Sequence, residues 1–179
     1  MEVDARRGPD GWTAPHDPGP PWGDPLAAVA ELVAAAGARL MVDLKEIGGE
    51  EDALGAVLER LAPERVLVST LEDESVAAVR RAFPELEVGL SLGRSRPRPY
   101  ARTRLSELSP SARARACGAA FLSVNRKLVP FGVLRRVPLP VYLWTVDEER
   151  ALRRYLRDER LRGVVTNRPL RALELLDER

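Results

Sequence analysis

Residues 39–69 read RLMVDLKEIGGEEDALGAVLERLAPERVLVS, and this stretch decides the fold class. Two short apolar runs rich in Val and Leu, at 39–45 and 65–69, bracket a longer segment at 50–61 that carries helical periodicity. Such runs fit strands covered on both faces, and strand, helix, strand in that order is the βαβ unit of a parallel sheet. The same alternation continues on either side. Further strands are predicted at 2–5, 86–92, 120–124, 140–145 and 163–166, seven in all, with helices near 24–36, 72–82, 105–116, 126–136, 147–158 and 168–177. Asp24 ahead of Pro25 and the cluster Glu72, Asp73, Glu74 supply helix-starting signals. An open doubly wound sheet and a closed (β/α)8 TIM barrel both satisfy this pattern, and the count leans to the barrel with one unit short. No Gly-x-Gly-x-x-Gly or Gly-x-x-x-x-Gly-Lys-Ser/Thr loop is present, so the usual nucleotide loops of open sheets are absent.

The 179 residues are 45% hydrophobic, enough for one domain with a sizeable core, so residues 1–179 are expected to form a single domain. Lys and Arg number 28 against 27 Asp and Glu, a formal net charge of +1, so no whole-molecule field points to nucleic acid or an anionic membrane. Any anion site must be local. Cys117 is the only cysteine, which excludes an internal disulfide and fits a reducing, cytoplasmic setting. No apolar run of about 18 residues marks a membrane span, and no signal peptide is expected from Met1 onward, which leaves open one encoded upstream.

The chemistry-bearing residues fall at strand ends. Glu2 and Asp4 are two apart, so on a strand both carboxylates leave the same face, and Asp43 with Lys45 repeats that spacing on the next strand. Three carboxylates converging at the mouth of a barrel repel one another unless a divalent cation lies between them. An all-oxygen set suits Mg2+ or Ca2+ rather than zinc. The same acids also fit solvated strand-edge residues paired with Arg6, Arg7 or Lys45. His16 is the only histidine, and its unperturbed pKa of roughly 6.5 lets it trade protons near neutrality, with Asp17 beside it to orient the ring. A loop histidine also serves structural ends. Ser69 and Thr70 close the third strand and Trp144 the sixth, where packing or capping accounts for them equally well.

In order along the chain, EVDARRGPDGWTAPHDP, LMVDLK, VLVST, VYLWTVDEERALRRYL and RGVVTNRP resemble the glycerophosphodiester phosphodiesterase family across residues 2–169. The resemblance implies a (β/α)8 barrel, a divalent cation, Mg2+ or Ca2+, and hydrolysis of glycerophosphodiesters to glycerol 3-phosphate and an alcohol in lipid metabolism. It implies that Glu2, Asp4 and Asp43 hold the metal, that His16 is one of a catalytic histidine pair, and that Lys45 and Trp144 contact the substrate and its phosphate. A second reading, a non-catalytic binder of phosphate or phospholipid headgroups, has GRSRPRPYARTR at 93–104 as its anion patch or, equally, as a solvated loop.

The chain departs from the family pattern at several points. The family carries a His-Arg-Gly about one βα unit upstream of the Glu-x-Asp strand, and no such run or second histidine occurs here. Asp43 stands where the family has Glu, Gly8 where Thr is common, and Asn167 where Asp is usual. With seven strands in 179 residues against roughly 200–250 for a full barrel, the first unit is expected to be missing, through a misplaced start or as a working remnant of impaired activity. Open edges at EVDA and GVVT are then expected to promote self-association.

Overall fold

The structure, a computed structural model, describes residues 1–15, 19–93 and 110–178. The chain divides into two compact units, Met1–Leu90 with Cys117–Ala119, and Ser91–Ala116 with Ala120–Arg179. The fold is mixed α/β.

In the first unit, β1 (Glu2–Gly8), β4 (Leu40–Leu44), β5 (Val66–Thr70) and the first four residues of β6 (Glu87–Leu92) pair side by side in parallel. Two short antiparallel strands, β2 (Gly11–Ala14) and β3 (Asp24–Pro25), extend the β1 side. Helices Leu26–Ala35, Glu50–Leu58 and Asp73–Ala82 connect the strands, as the alternation at 39–69 requires. Period-2 alternation sorts the parallel strands into two faces. One carries Ala5, Val42, Leu44, Val68 and Val88, all fully buried apolar side chains, and the other carries Glu2, Asp4, Asp43 and Ser69. The β1–β2 hairpin closes at Gly8↔Gly11 around Pro9 and Asp10, and Gly11 at φ 128° takes a backbone conformation open to glycine.

The second unit contains β7 (Phe121–Asn125), β8 (Val141–Trp144) and β9 (Leu161–Val164), again parallel, with helices Glu149–Tyr155 and Pro169–Asp177 and most of Pro110–Cys117. Phe121 and Tyr142 meet edge to face at 5.2 Å. Among the described residues no helix is long and apolar enough to cross a membrane.

All seven predicted strands are present, the last displaced two residues toward the N-terminus. The sequence gives no sign of β2 and β3, because β1 runs on through Arg6 and Arg7, whose charges read as loop. Asp24 does not cap a helix: it pairs with Ala14 in β3, and the helix begins at Leu26 after Pro25 with no side-chain cap. The expected helix at 126–136 is two 3-10 turns, Arg126–Phe131 and Val133–Arg135. Pro130 withholds an N–H inside the first, and Gly132 at φ 77° separates the two. The expected helix at 105–116 is described from Pro110, and the Arg-rich connection at 94–104 lies wholly outside the described residues, with 105–109.

Arg65 ties the first unit's helical layer to its sheet. Its guanidinium donates to Ala38 O at 2.9 and 2.6 Å and to Val33 O at 3.0 Å, meeting carbonyls at and just past the end of helix Leu26–Ala35. In Arg65→Met, Val33 O keeps the Ala38 N–H at 3.1 Å while Ala38 O loses both guanidinium donors; a part-buried carbonyl that loses its donors costs about 1–3 kcal/mol, and the unfolding free energy is expected to fall by that amount. Urea melts of both proteins check this, and an unchanged midpoint would contradict it.

Candidate active site

Parallel register sets the site. Asp4 lies opposite Asp43, and Asp43 opposite Ser69, so three strands present polar side chains in one row. Glu2 joins from two residues earlier on β1. Lys45 follows the end of β4, where its backbone N–H donates to Ala5 O at 3.1 Å and carries the ladder one step further. Carboxylate oxygens of Glu2, Asp4 and Asp43 lie within 4.8 Å of one another. Lys45 Nζ reaches Asp4 Oδ1 at 2.9 Å and also bonds Asp43 Oδ2, while Ser69 Oγ donates to Asp43 Oδ1 at 2.9 Å.

The electrostatics follow from burial and like charge. Burial, then the neighbouring Asp43 and Asp4 carboxylates, push Glu2 up to about 7. Burial also pushes Asp43 up, against the pull of Lys45 and the Ser69 hydrogen bond. For Lys45 burial disfavours the cation, but Asp43 and Asp4 outweigh it and hold the ammonium above its usual range. Three carboxylates and one ammonium leave two net negative charges when all are ionised. Such a set of close oxygen donors fits a hard divalent cation of the Mg2+ or Ca2+ kind.

The hairpin bearing Glu2 and Asp4 is held from its other face. Arg7 sits 5.4 Å from the Trp12 ring centroid and packs on Gly49, whose φ of 70° and lack of a Cβ make room for the guanidinium. The adjacent Glu50 is buried and accepts from Ser75 Oγ at 2.6 Å and Gly48 N at 3.0 Å. Though burial opposes ionisation, these hydrogen bonds, with Arg7 nearby, keep its carboxyl below the usual range.

Glu2, Asp4, Asp43 and Lys45 are thus brought together, and His16 lies outside the described residues. Trp144 belongs to the second unit, opposite Asn125 in the β7–β8 register, and its buried Nε1 has no hydrogen-bond partner among the described residues. Asn167, one of the departures from the family pattern, donates to Asp147 through its backbone N (2.8 Å) and its Nδ2 (3.0 Å); an Asp there would lose the second donor. Along the chain, a functional place and simple packing or capping fit Ser69 equally well. Its place beside Asp43 depends on cross-strand register, which spacing along one strand does not reveal.

Glu2 provides a test of these electrostatics. Its folded pKa of about 7 exceeds the ordinary 4.5, so the folded state binds the extra proton and this group's contribution to stability falls as pH rises between those values. In EDTA, Glu2→Gln is expected to melt close to wild type near pH 4 and progressively above it up to about pH 7. A melting difference independent of pH would contradict the assignment.

No protein-family model matches the sequence, and no curated protein does. Solved structures do. A glycerophosphodiester phosphodiesterase from Agrobacterium tumefaciens str. C58 superposes with a TM-score of 0.69 at 14% identity, over 98% of this chain and 85% of that one. One from Parabacteroides distasonis ATCC 8503 gives 0.66 at 18%, over 99% and 83%. An Oleispira antarctica phosphodiesterase in complex with the product sn-glycerol-3-phosphate gives 0.66 at 18%, over 98% and 84%. At these identities the likeness establishes the fold: the chain has the α/β fold of the TIM-barrel-like glycerophosphodiester phosphodiesterases.

Proposed function

We propose that the protein is a metal-dependent phosphodiesterase that hydrolyses glycerophosphodiesters to glycerol 3-phosphate and an alcohol. The observation that carries this reading is the row of Glu2, Asp4 and Asp43 with Lys45, set on adjacent parallel strands in a fold shared with such enzymes. The glycerol 3-phosphate bound to the Oleispira protein supports the same substrate class. In this reading Glu2, Asp4 and Asp43 hold one divalent cation. That cation supplies charge neutralisation and polarisation of the phosphoryl oxygens.

The chain's own residues supply the rest. Lys45 bridges Asp4 and Asp43 and holds them in orientation, and Ser69 fixes the second oxygen of Asp43. An oxygen nucleophile attacks phosphorus, the P–O bond to the alcohol breaks, and the departing oxygen takes up a proton. His16 is the residue whose ordinary pKa suits proton exchange near neutrality, as general acid or base. Trp144, whose buried indole N–H has no partner among the described residues, is a candidate substrate contact in this reading. The single histidine favours a second reading, a non-catalytic binder of phosphate or phospholipid headgroups.

Two experiments separate these readings. In calorimetric titration the wild type is expected to bind one Mg2+ or Ca2+ and the Asp4→Asn, Asp43→Asn double variant to lose that binding; equal binding by both would remove the metal site. In an assay of glycerol 3-phosphate release from glycerophosphocholine and glycerophosphoethanolamine, turnover is expected to vanish in EDTA. It is expected to fall about 10²–10⁴-fold in His16→Ala with metal affinity intact. Ligand binding without turnover would decide for the binder, and turnover indifferent to EDTA would refute the proposed mechanism.

A further inference from the structure

Arg6 and Arg7 are adjacent on β1, and strand alternation sends them to opposite faces. Arg7 packs on Gly49, so Arg6 shares the face of Glu2 and Asp4. Its backbone is fixed by the hairpin, paired with Thr13, whose Oγ1 donates to Arg6 O at 3.3 Å. Arg6 Nε is buried and has no hydrogen-bond partner among the described residues. A buried guanidinium N–H without an acceptor is costly, and a ligand oxygen would satisfy it.

We propose that Arg6 binds the phosphate group of the ligand at this site, an assignment that rests on the phosphodiesterase reading above. Lys45 is already engaged by Asp4 and Asp43, so its charge is spent within the carboxylate row. The charges support the same conclusion. Three carboxylates and Lys45 sum to −2, a divalent cation brings the set to zero, and Arg6 then leaves one positive charge, the complement of a phosphodiester monoanion. A guanidinium offers two parallel donors to phosphate oxygens, where an ammonium offers a single point of charge.

The test uses the full chain with Mg2+ bound, titrated calorimetrically with inorganic phosphate, sn-glycerol 3-phosphate, glycerophosphocholine and, as an uncharged control, glycerol. Arg6→Gln is expected to weaken the three phosphate ligands about tenfold or more, and Arg6→Lys several-fold, with Mg2+ affinity unchanged. Arg7→Gln, which removes the same charge next door, is expected to bind phosphate within about twofold of wild type. Without ligand, Arg6→Gln is expected to melt no lower than wild type, since it removes an unsatisfied donor; a residue with a purely structural role would lower the melt and spare phosphate. A folded Arg6 variant of either kind with wild-type phosphate affinity overturns the assignment, as does equal loss in the Arg6 and Arg7 variants. Failure of the wild type to bind any phosphate ligand overturns both this inference and the phosphodiesterase reading. Phosphate binding that depends on Arg6 without any turnover overturns the phosphodiesterase reading alone. Loss on all three ligands places the contact on the phosphate itself, as the assignment requires, whereas loss confined to the diester places it on the headgroup and overturns the assignment.

Discussion

The register of β1 against β4 sets Asp4 beside Asp43, two like charges on neighbouring strands, and the rest of the site depends on how that repulsion is met. Lys45 bridges both carboxylates, and Ser69 takes the remaining oxygen of Asp43. Even so, Glu2 is driven up to about 7 and Asp43 is raised, so the row is not at rest when fully ionised and metal-free. Buried acids that their own neighbours do not fully compensate mark a place where stability is given up for another purpose, and cation binding is that purpose in this account.

Rigidity around the row comes from the opposite face of the same hairpin. Arg7, packed against Trp12 and Gly49, ties β1 to the loop that follows β4, and Glu50, held by the Gly48 N–H and Ser75, steadies that loop against helix Asp73–Ala82. The two strands that carry the carboxylates are therefore fastened together twice, by the polar row on one face and by this polar knot on the other. The adjacent arginines divide the work: Arg7 secures the scaffold, and Arg6 is left on the face where a phosphate would bind.

Much of this was legible along the chain. Apolar runs separated by helical segments located the parallel strands, because strands buried on both faces carry continuous Val and Leu. The two-residue spacings of Glu2 with Asp4 and of Asp43 with Lys45 put the right residues on common faces. What a single strand cannot disclose is its partner's register. The Asp43–Ser69 bond, the double engagement of Lys45 and the separate fates of Arg6 and Arg7 all depend on that register. Glu50 was hidden for another reason: an acid in a helix's first turn ordinarily faces solvent, and only the tertiary hydrogen bonds from Ser75 and Gly48 bury it. The β2–β3 extension leaves no such mark, because its strands are only four and two residues long and antiparallel, without the apolar run that betrays the others.

A Mn2+-soaked crystal examined for anomalous scattering tests the central claim most directly, since manganese shares the oxygen preference of the expected cations. The account calls for one peak among Glu2, Asp4 and Asp43, with an oxygen of each at roughly 2.0–2.6 Å from it. A peak elsewhere, or none while Lys45 still bridges Asp4 and Asp43, would contradict it.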